Sequence, residues 1–240
     1  MNTLDISNYS RALDPWQVAA IRDMGVSKVI VQAVDPPAAY PPGVTAQQLA
    51  ELAAGGIGTE AYVYLWFEED VSTIHSRLDL LAGSSVRRVW LDVEDGEGST
   101  QFTADDCLNK IGDAVSAIAA RGFEVGIYTA AWFWGDWLGT EFSYLPLWAA
   151  QYDGIPYPGV FNPFGGWSQC EIKQYRGTTQ LVIPNVDLNQ SRGAPEAPRE
   201  RMLALLHSAV IAENAGDLRD LGQRDKEVLD DLAEAANAPW

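Results

Sequence analysis

Asp92 and Glu94 flank a single apolar residue at the end of a strand-like run, Val86 to Val93. Side chains alternate across a strand, so the two acids share one face while Leu91 and Val93 pack on the other. Two carboxylates confined to a partly dry cleft cannot both ionise freely. At least one pKa rises, which leaves a proton donor beside an ionised partner. That pairing suits acid/base cleavage of a glycosidic bond. An acid pair also ends strands in solvent or holds a cation, and the pair alone does not decide between these uses. Asp5 and Asp187 lie at or near the ends of two further predicted strands, and their matching placement favours catalysis.

Other chemistries find less support in the residues. His75 falls in a predicted surface helix and His207 in a later helix, and neither has an evident nucleophile or acid to work with as a triad. Gly55, Gly56 and Gly58 follow a helix instead of preceding one, which argues against a phosphate loop. Cys107 and Cys170 lie outside metal-ligand spacing and are too few for a disulfide framework. A net charge of −17 with no basic stripe excludes nucleic acid as the expected partner. The same charge repels anionic membranes and wall polymers, so binding to them needs specific contacts. Met1 to Ser10 has no basic region followed by an apolar stretch, and no segment approaches about 18 continuous apolar residues. The expectation is a soluble chain with no signal peptide and no membrane insertion, delivered to its site of action by a separate route. Nine Trp residues serve either sugar stacking or a large core.

The elements that must position these acids alternate. Thr3 to Ile6 reads as a first strand, and Asp14 before Pro15 as an N-cap with proline at the first helical position. Lys28 to Val34 is a second strand, and Thr45 with Gln48 three residues on predicts a capping box. Thr59 to Trp66, Val86 to Glu94 and Phe123 to Thr129 follow as strands, separated by helices over Val71 to Leu81 and from Thr103 to Gly122. Leu145 to Gln151, Glu171 to Tyr175 and Leu181 to Leu188 are three further strands, the last delayed by Pro184. Five strand-helix units and three strands predict a parallel α/β sheet winding in one sense and closing into a barrel. Reactive groups in such barrels collect at the C-terminal ends of the strands, which would gather Asp5, Asp92, Glu94 and Asp187 on one rim. Residues 1–193 form this predicted barrel domain. Residues 194–240, rich in Ala, Leu, Glu, Asp and Arg, read as a helical tail with helices over Arg199 to Asn214 and Asp217 to Ala236. Packing on the barrel, docking and self-association all fit that tail.

These residues resemble the glycoside hydrolase family 25 lysozymes, or muramidases, over roughly residues 3 to 192. The resemblance rests on Asp5-Ile6-Ser7, Leu91-Asp92-Val93-Glu94, Gly126-Ile127-Tyr128-Thr129, Leu147-Trp148-Ala149 with Tyr152, Gln174-Tyr175 and Val186-Asp187-Leu188-Asn189. It implies a flattened TIM-like barrel of five βα units and three closing strands. It implies peptidoglycan glycan strands as partner, with cleavage of the β-1,4 bond between N-acetylmuramic acid and N-acetylglucosamine, and no metal or cofactor. Glu94 would be the general acid and Asp92 its charged partner, positioning the acetamido group or stabilising positive charge at the sugar carbon. Asp5 and Asp187 would complete the acidic floor, and Tyr62, Tyr128, Trp148 and Gln174 would bind substrate. The chain departs from the family pattern at Gln32 and Asp35, where a Lys and a Glu are usual, and at Tyr62-Val63-Tyr64, where a Tyr-His-Phe run is common. Those departures motivate an alternative: a catalytically weak or inactive glycan-binding or structural module, for example of a phage particle.

Overall fold

The computed structural model describes residues 2–34, 43–94, 102–135 and 137–193. The expected elements at 199–214 and 217–236, His207 and Asp35 lie outside the described residues. The order is β1 (Thr3–Ile6), α1 (Pro15–Asp23), β2 (Lys28–Gln32), α2 (Val44–Ala54), β3 (Gly58–Tyr64), α3 (Val71–Asp79), β4 (Arg88–Asp92) and α4 (Ala104–Ala120). It continues with β5 (Glu124–Ala130), the single turn α5 (Ala131–Trp134), β6 (Leu147–Ala150), β7 (Ile172–Thr179) and β8 (Val186–Ser191). The strands close in sequence order into one barrel, β8 pairing back onto β1.

The direction of β8 corrects the expectation of an all-parallel sheet. Strands β1 to β7 run parallel, while β8 is antiparallel to both β7 and β1. Only a short loop joins β7 to β8, and a parallel return needs a crossover of a dozen or more residues. The strand has room to fold straight back and no room to cross over. Its start therefore stands at the rim where the parallel strands end.

Period-2 alternation divides the strands into an outer and an inner set. Leu4, Ile6, Val29, Val31, Val63, Leu91 and Ile127 face outward and are sealed by Ile21, Leu52, Ile74, Leu78, Ile111 and Ile118 of α1 to α4. Ile30, Tyr62, Trp90, Tyr128, Trp148 and Ile172 fill the barrel itself. Gly126 is required there, since a Cβ would lie 2.4 Å from Trp90. The helices start where their caps dictate. Gln17 Oε1 accepts the Asp14 backbone N–H at 2.9 Å, and the Thr103 hydroxyl and Asp106 carboxylate exchange backbone bonds at the start of α4.

The capping box expected at Thr45 and Gln48 does not form. Gly43, at φ 81°, caps α2, and both side chains turn into the structure. Thr45 Oγ1 donates to Gln32 O at 2.9 Å, and Gln48 Nε2 donates to Ser7 O at 3.1 Å and Arg11 O at 2.6 Å. Buried polar side chains satisfy the nearest unpaired carbonyls, and here these belong to the loop after β1 and to the last residue of β2. No helix among the described residues is long and apolar enough to cross a membrane.

Candidate active site

Asp5 of β1 is in register with Asp187 of β8, and Asp92 closes β4 opposite Tyr128 of β5. Glu94 follows Asp92 by one alternation, while Leu91 and Val93 are buried in the outer core. The four carboxylates influence one another's ionisation across the barrel mouth, so they occupy one site. A cavity of about 430 Å³ opens over two of them, Asp5 and Asp187, and is lined also by Ser7, Tyr9, Tyr62, Thr178 and Asn185; Asp92 and Glu94 are not part of its lining. A cavity of similar size, about 440 Å³, lies beside the starts of β6 and β7, but its lining holds a single carboxylate, Glu171. Charge and not volume distinguishes the first.

Gln174 is the hub of the site. Its Nε2 donates to Asp5 Oδ1 at 2.9 Å and to Asp187 Oδ2 at 3.0 Å. Its Oε1 accepts from the hydroxyls of Tyr128 and Tyr152, both at 2.8 Å. Asn189 Nδ2 donates to Asp5 Oδ1 at 2.7 Å and its Oδ1 accepts from Trp148 Nε1 at 2.8 Å. A bulged stretch of β7 places Thr178 at φ 46°, a conformation unusual for a β-branched residue, and aims its N–H at Asp187 Oδ1, 2.6 Å away.

Protonation follows from burial without compensating cations. Among the described residues no Lys, Arg or His forms an ion pair with these acids. Burial, and then the Asp187 charge, push Asp5 up to about 8, against the hydrogen bonds from Asn189 and Gln174. Asp92 is buried, its Oδ1 has no hydrogen-bond partner, and desolvation followed by the charges of Glu94 and Asp5 holds it well above the carboxylate range. Glu94, half-buried, is raised by desolvation and by Asp187, with the Tyr128 hydroxyl opposing. Asp187 is raised by burial against the Thr178 N–H. Asp5 therefore holds a proton near neutrality, all four acids are raised above their ordinary values, and Glu94 is a member with solvent access. No group of three or more His, Cys, Asp or Glu side chains among the described residues is placed to hold a metal ion.

The aromatic residues divide by depth. Tyr62 lines the cavity, whereas Tyr128 lies beneath it with its hydroxyl on Gln174. Trp148 is a correction: at 1% exposure, with its ring against Tyr62, Trp90 and Tyr128, it offers no face to a ligand and supports the floor through Asn189. Gln174 is likewise buried and acts through the acids. The exposed rings at the mouth are Tyr9 and Tyr152, which were not among the expected site residues. Inward alternation from Ala150 to Tyr152 and from Asp187 to Asn189 was the readable signal for Tyr152 and Asn189. Of the departures, Gln32 accepts the Asn8 N–H at 3.4 Å, and Val63 is sealed in the outer core, away from the acids.

A closed α/β barrel whose rim gathers uncompensated carboxylates defines a class of TIM-like barrel with an acid/base site. The family profile described as lysozyme-like protein 1 matches residues 3–175, and the chain belongs to this family of lysozyme-like proteins related to the glycoside hydrolase family 25 lysozymes. It is 31% identical over 152 residues to probable GH family 25 lysozyme 3 of Dictyostelium discoideum, covering 59% of this chain and 31% of that protein. It is 32% identical over 138 residues to lysozyme-like protein 5 of Caenorhabditis elegans, covering 53% of this chain and 62% of that one. The chain thus spans less than two thirds of the length of these curated relatives. The family GH25 lysozyme from Aspergillus fumigatus shares the fold, with a TM-score of 0.62, 20% identity, and coverage of 83% of this chain and 96% of that one. The modular Cpl-1 endolysin, solved with a peptidoglycan analogue, superposes with a TM-score of 0.53 and 17% identity over 82% of this chain and 56% of its own.

Proposed function

We propose that the chain is a muramidase-type peptidoglycan hydrolase that cleaves the β-1,4 bond between N-acetylmuramic acid and N-acetylglucosamine. The observation that carries this reading is Glu94, half-buried and held above its ordinary pKa beside the buried Asp92. Glu94 donates its proton to the glycosidic oxygen as the bond to the sugar carbon breaks. Asp92, which burial keeps protonated in the resting site, fixes the acetamido group beside that carbon by hydrogen bonding. Water then supplies the hydroxyl to the sugar carbon, and its remaining proton restores Glu94. Asp5 and Asp187 keep the cluster protonated, and Tyr62, Tyr9 and Tyr152 offer ring edges and hydroxyls to the glycan. Membership of the lysozyme-like family, and a structural neighbour solved with a peptidoglycan analogue, support this substrate.

Glu94→Gln should abolish release of reducing ends from purified cell walls while leaving the circular dichroism spectrum and melting temperature close to those of the parent. Full hydrolysis by that variant would remove Glu94 from the mechanism. A glycan-binding or structural module would instead bind walls and release no reducing ends even as the parent protein. Val63, which helped to motivate that alternative, packs away from the acids and lends it no weight.

A further inference from the structure

Lys173 is buried in a way the chemistry above leaves unexplained. It precedes Gln174 in β7, so it points out of the barrel where Gln174 points in. Its side chain has no solvent exposure, and its Nζ donates to Asp153 Oδ2 and to Val160 O, each at 2.7 Å. A buried ammonium is costly to desolvate and persists only with close partners. Those partners all belong to the loop between β6 and β7. Asp153 Oδ2 also accepts from Gln151 Nε2 at 2.6 Å, and Asp153 Oδ1 from Ile155 N at 2.9 Å. Gln151 Oε1 in turn accepts from Asn162 N at 3.0 Å. One cation thereby gathers both limbs of the loop.

Tyr152 lies between the two anchored residues Gln151 and Asp153. Its ring is 56% exposed, so little packing holds it, yet its hydroxyl reaches Gln174 Oε1 at 2.8 Å. The orientation of that amide matters, because a reversed Gln174 would turn Oε1 toward Asp5 and Asp187 and withdraw the N–H bonds that both accept. We propose that Lys173 is a positioning residue for the acid site: its buried ammonium clamps the β6–β7 loop so that the Tyr152 hydroxyl joins that of Tyr128 in keeping the Gln174 amide turned toward Asp5 and Asp187. The inference rests on reading those acids as part of the functional site.

The test follows the side-chain carboxyl carbons by NMR titration of the full chain, a readout independent of hydrolysis. Asp5 also faces Asp187 of β8, Asp92 and Glu94 from β4, Tyr62 of β3 and Tyr152, so every variant is compared with these unchanged except where stated. Weakening the Gln174 bond removes a contact that favours the charged carboxylate, so the Asp5 midpoint should rise from about 8. Tyr152→Phe and Lys173→Met with Asp153→Asn should each move it upward by about half a unit. The three substitutions together should move it no further. Asp153→Asn alone leaves an oxygen for the ammonium and should shift it less, in the same direction. An unmoved midpoint in Tyr152→Phe overturns the proposal. So does a shift in Tyr152→Phe with none in Asp153→Asn, or full additivity in the triple variant. A parent chain that releases no reducing ends would sink the muramidase reading and leave this titration to decide the role of Lys173.

Discussion

The acid role proposed for Glu94 depends on its neighbours. Desolvation raises its pKa, and the negative charge of Asp187 raises it further by making a second charge unwelcome. A general acid must be protonated to act, so hydrolysis should fall as pH rises through the Glu94 pKa. Asp187→Asn removes the like charge and keeps an oxygen for the Thr178 N–H. The Glu94 pKa should then fall, moving the alkaline limb of the kcat/KM profile to lower pH by about half a unit to one unit. An alkaline limb that stays in place would show that Asp187 does not tune Glu94. At this scale the sequence was informative where alternation governs: Asp92 and Glu94 do share a face, and Leu91 and Val93 do pack behind them. It was uninformative where a backbone conformation does the work. The Thr178 N–H on Asp187 arises from a bulge, and nothing in the residue types of Arg176 to Thr179 announces a positive φ at a threonine.

The strands were legible because their composition and spacing repeat, and β1 begins and ends at the residues expected of it. The direction of β8 was not, because a period of two reads the same in both directions. The separation between the predicted ends Tyr175 and Leu181 was the available clue, being too short for a parallel crossover. The reversal is what delivers Asp187: it lies near the start of β8, and only an antiparallel strand begins at the acid rim. Thr45 and Gln48 show a second limit, since a capping pattern in the chain does not reveal that unpaired carbonyls nearby will claim both side chains. Packing between strands was also hidden. Gly126 reads as an ordinary strand glycine, yet it makes room for Trp90, whose Nε1 is fixed on Glu60 Oε2 at 2.6 Å. Gly126→Ala should therefore cost about 1–3 kcal/mol through overpacking. Thermal unfolding should register a drop of several degrees, and an unchanged melting temperature would mean that Trp90 can shift within the barrel.

The whole molecule keeps its charges at opposite ends of the barrel in opposite conditions. Away from the acid rim, Arg88 bonds Glu124 and Glu171 while Lys28 bonds Glu60, so carboxylates there are matched by cations. At the acid rim no cation among the described residues pairs with the carboxylates and burial raises their pKa values, which is where a proton donor is of use. That division needs a closed sheet, and closure depends on the last strand. Ser191 N donates to Asn2 Oδ1 at 3.0 Å, the hydroxyls of Thr3 and Ser191 meet at 2.9 Å, and Arg192 N donates to Glu171 O at 2.7 Å. By Arg192 the seam between first and last strands is made, and, among the described residues, every acid and supporting side chain of the site lies before it. We propose that residues 1–193 are the folding and working unit and that neither folding nor activity requires residues 194–240. A chain ending at Gly193 should then unfold cooperatively within a few degrees of the full chain and release reducing ends from walls at a similar rate. Aggregation, or loss of cooperative unfolding, would instead make the last segment part of the barrel's own fold. Intact folding with reduced hydrolysis of whole walls, but not of short glycans, would assign that segment to substrate docking.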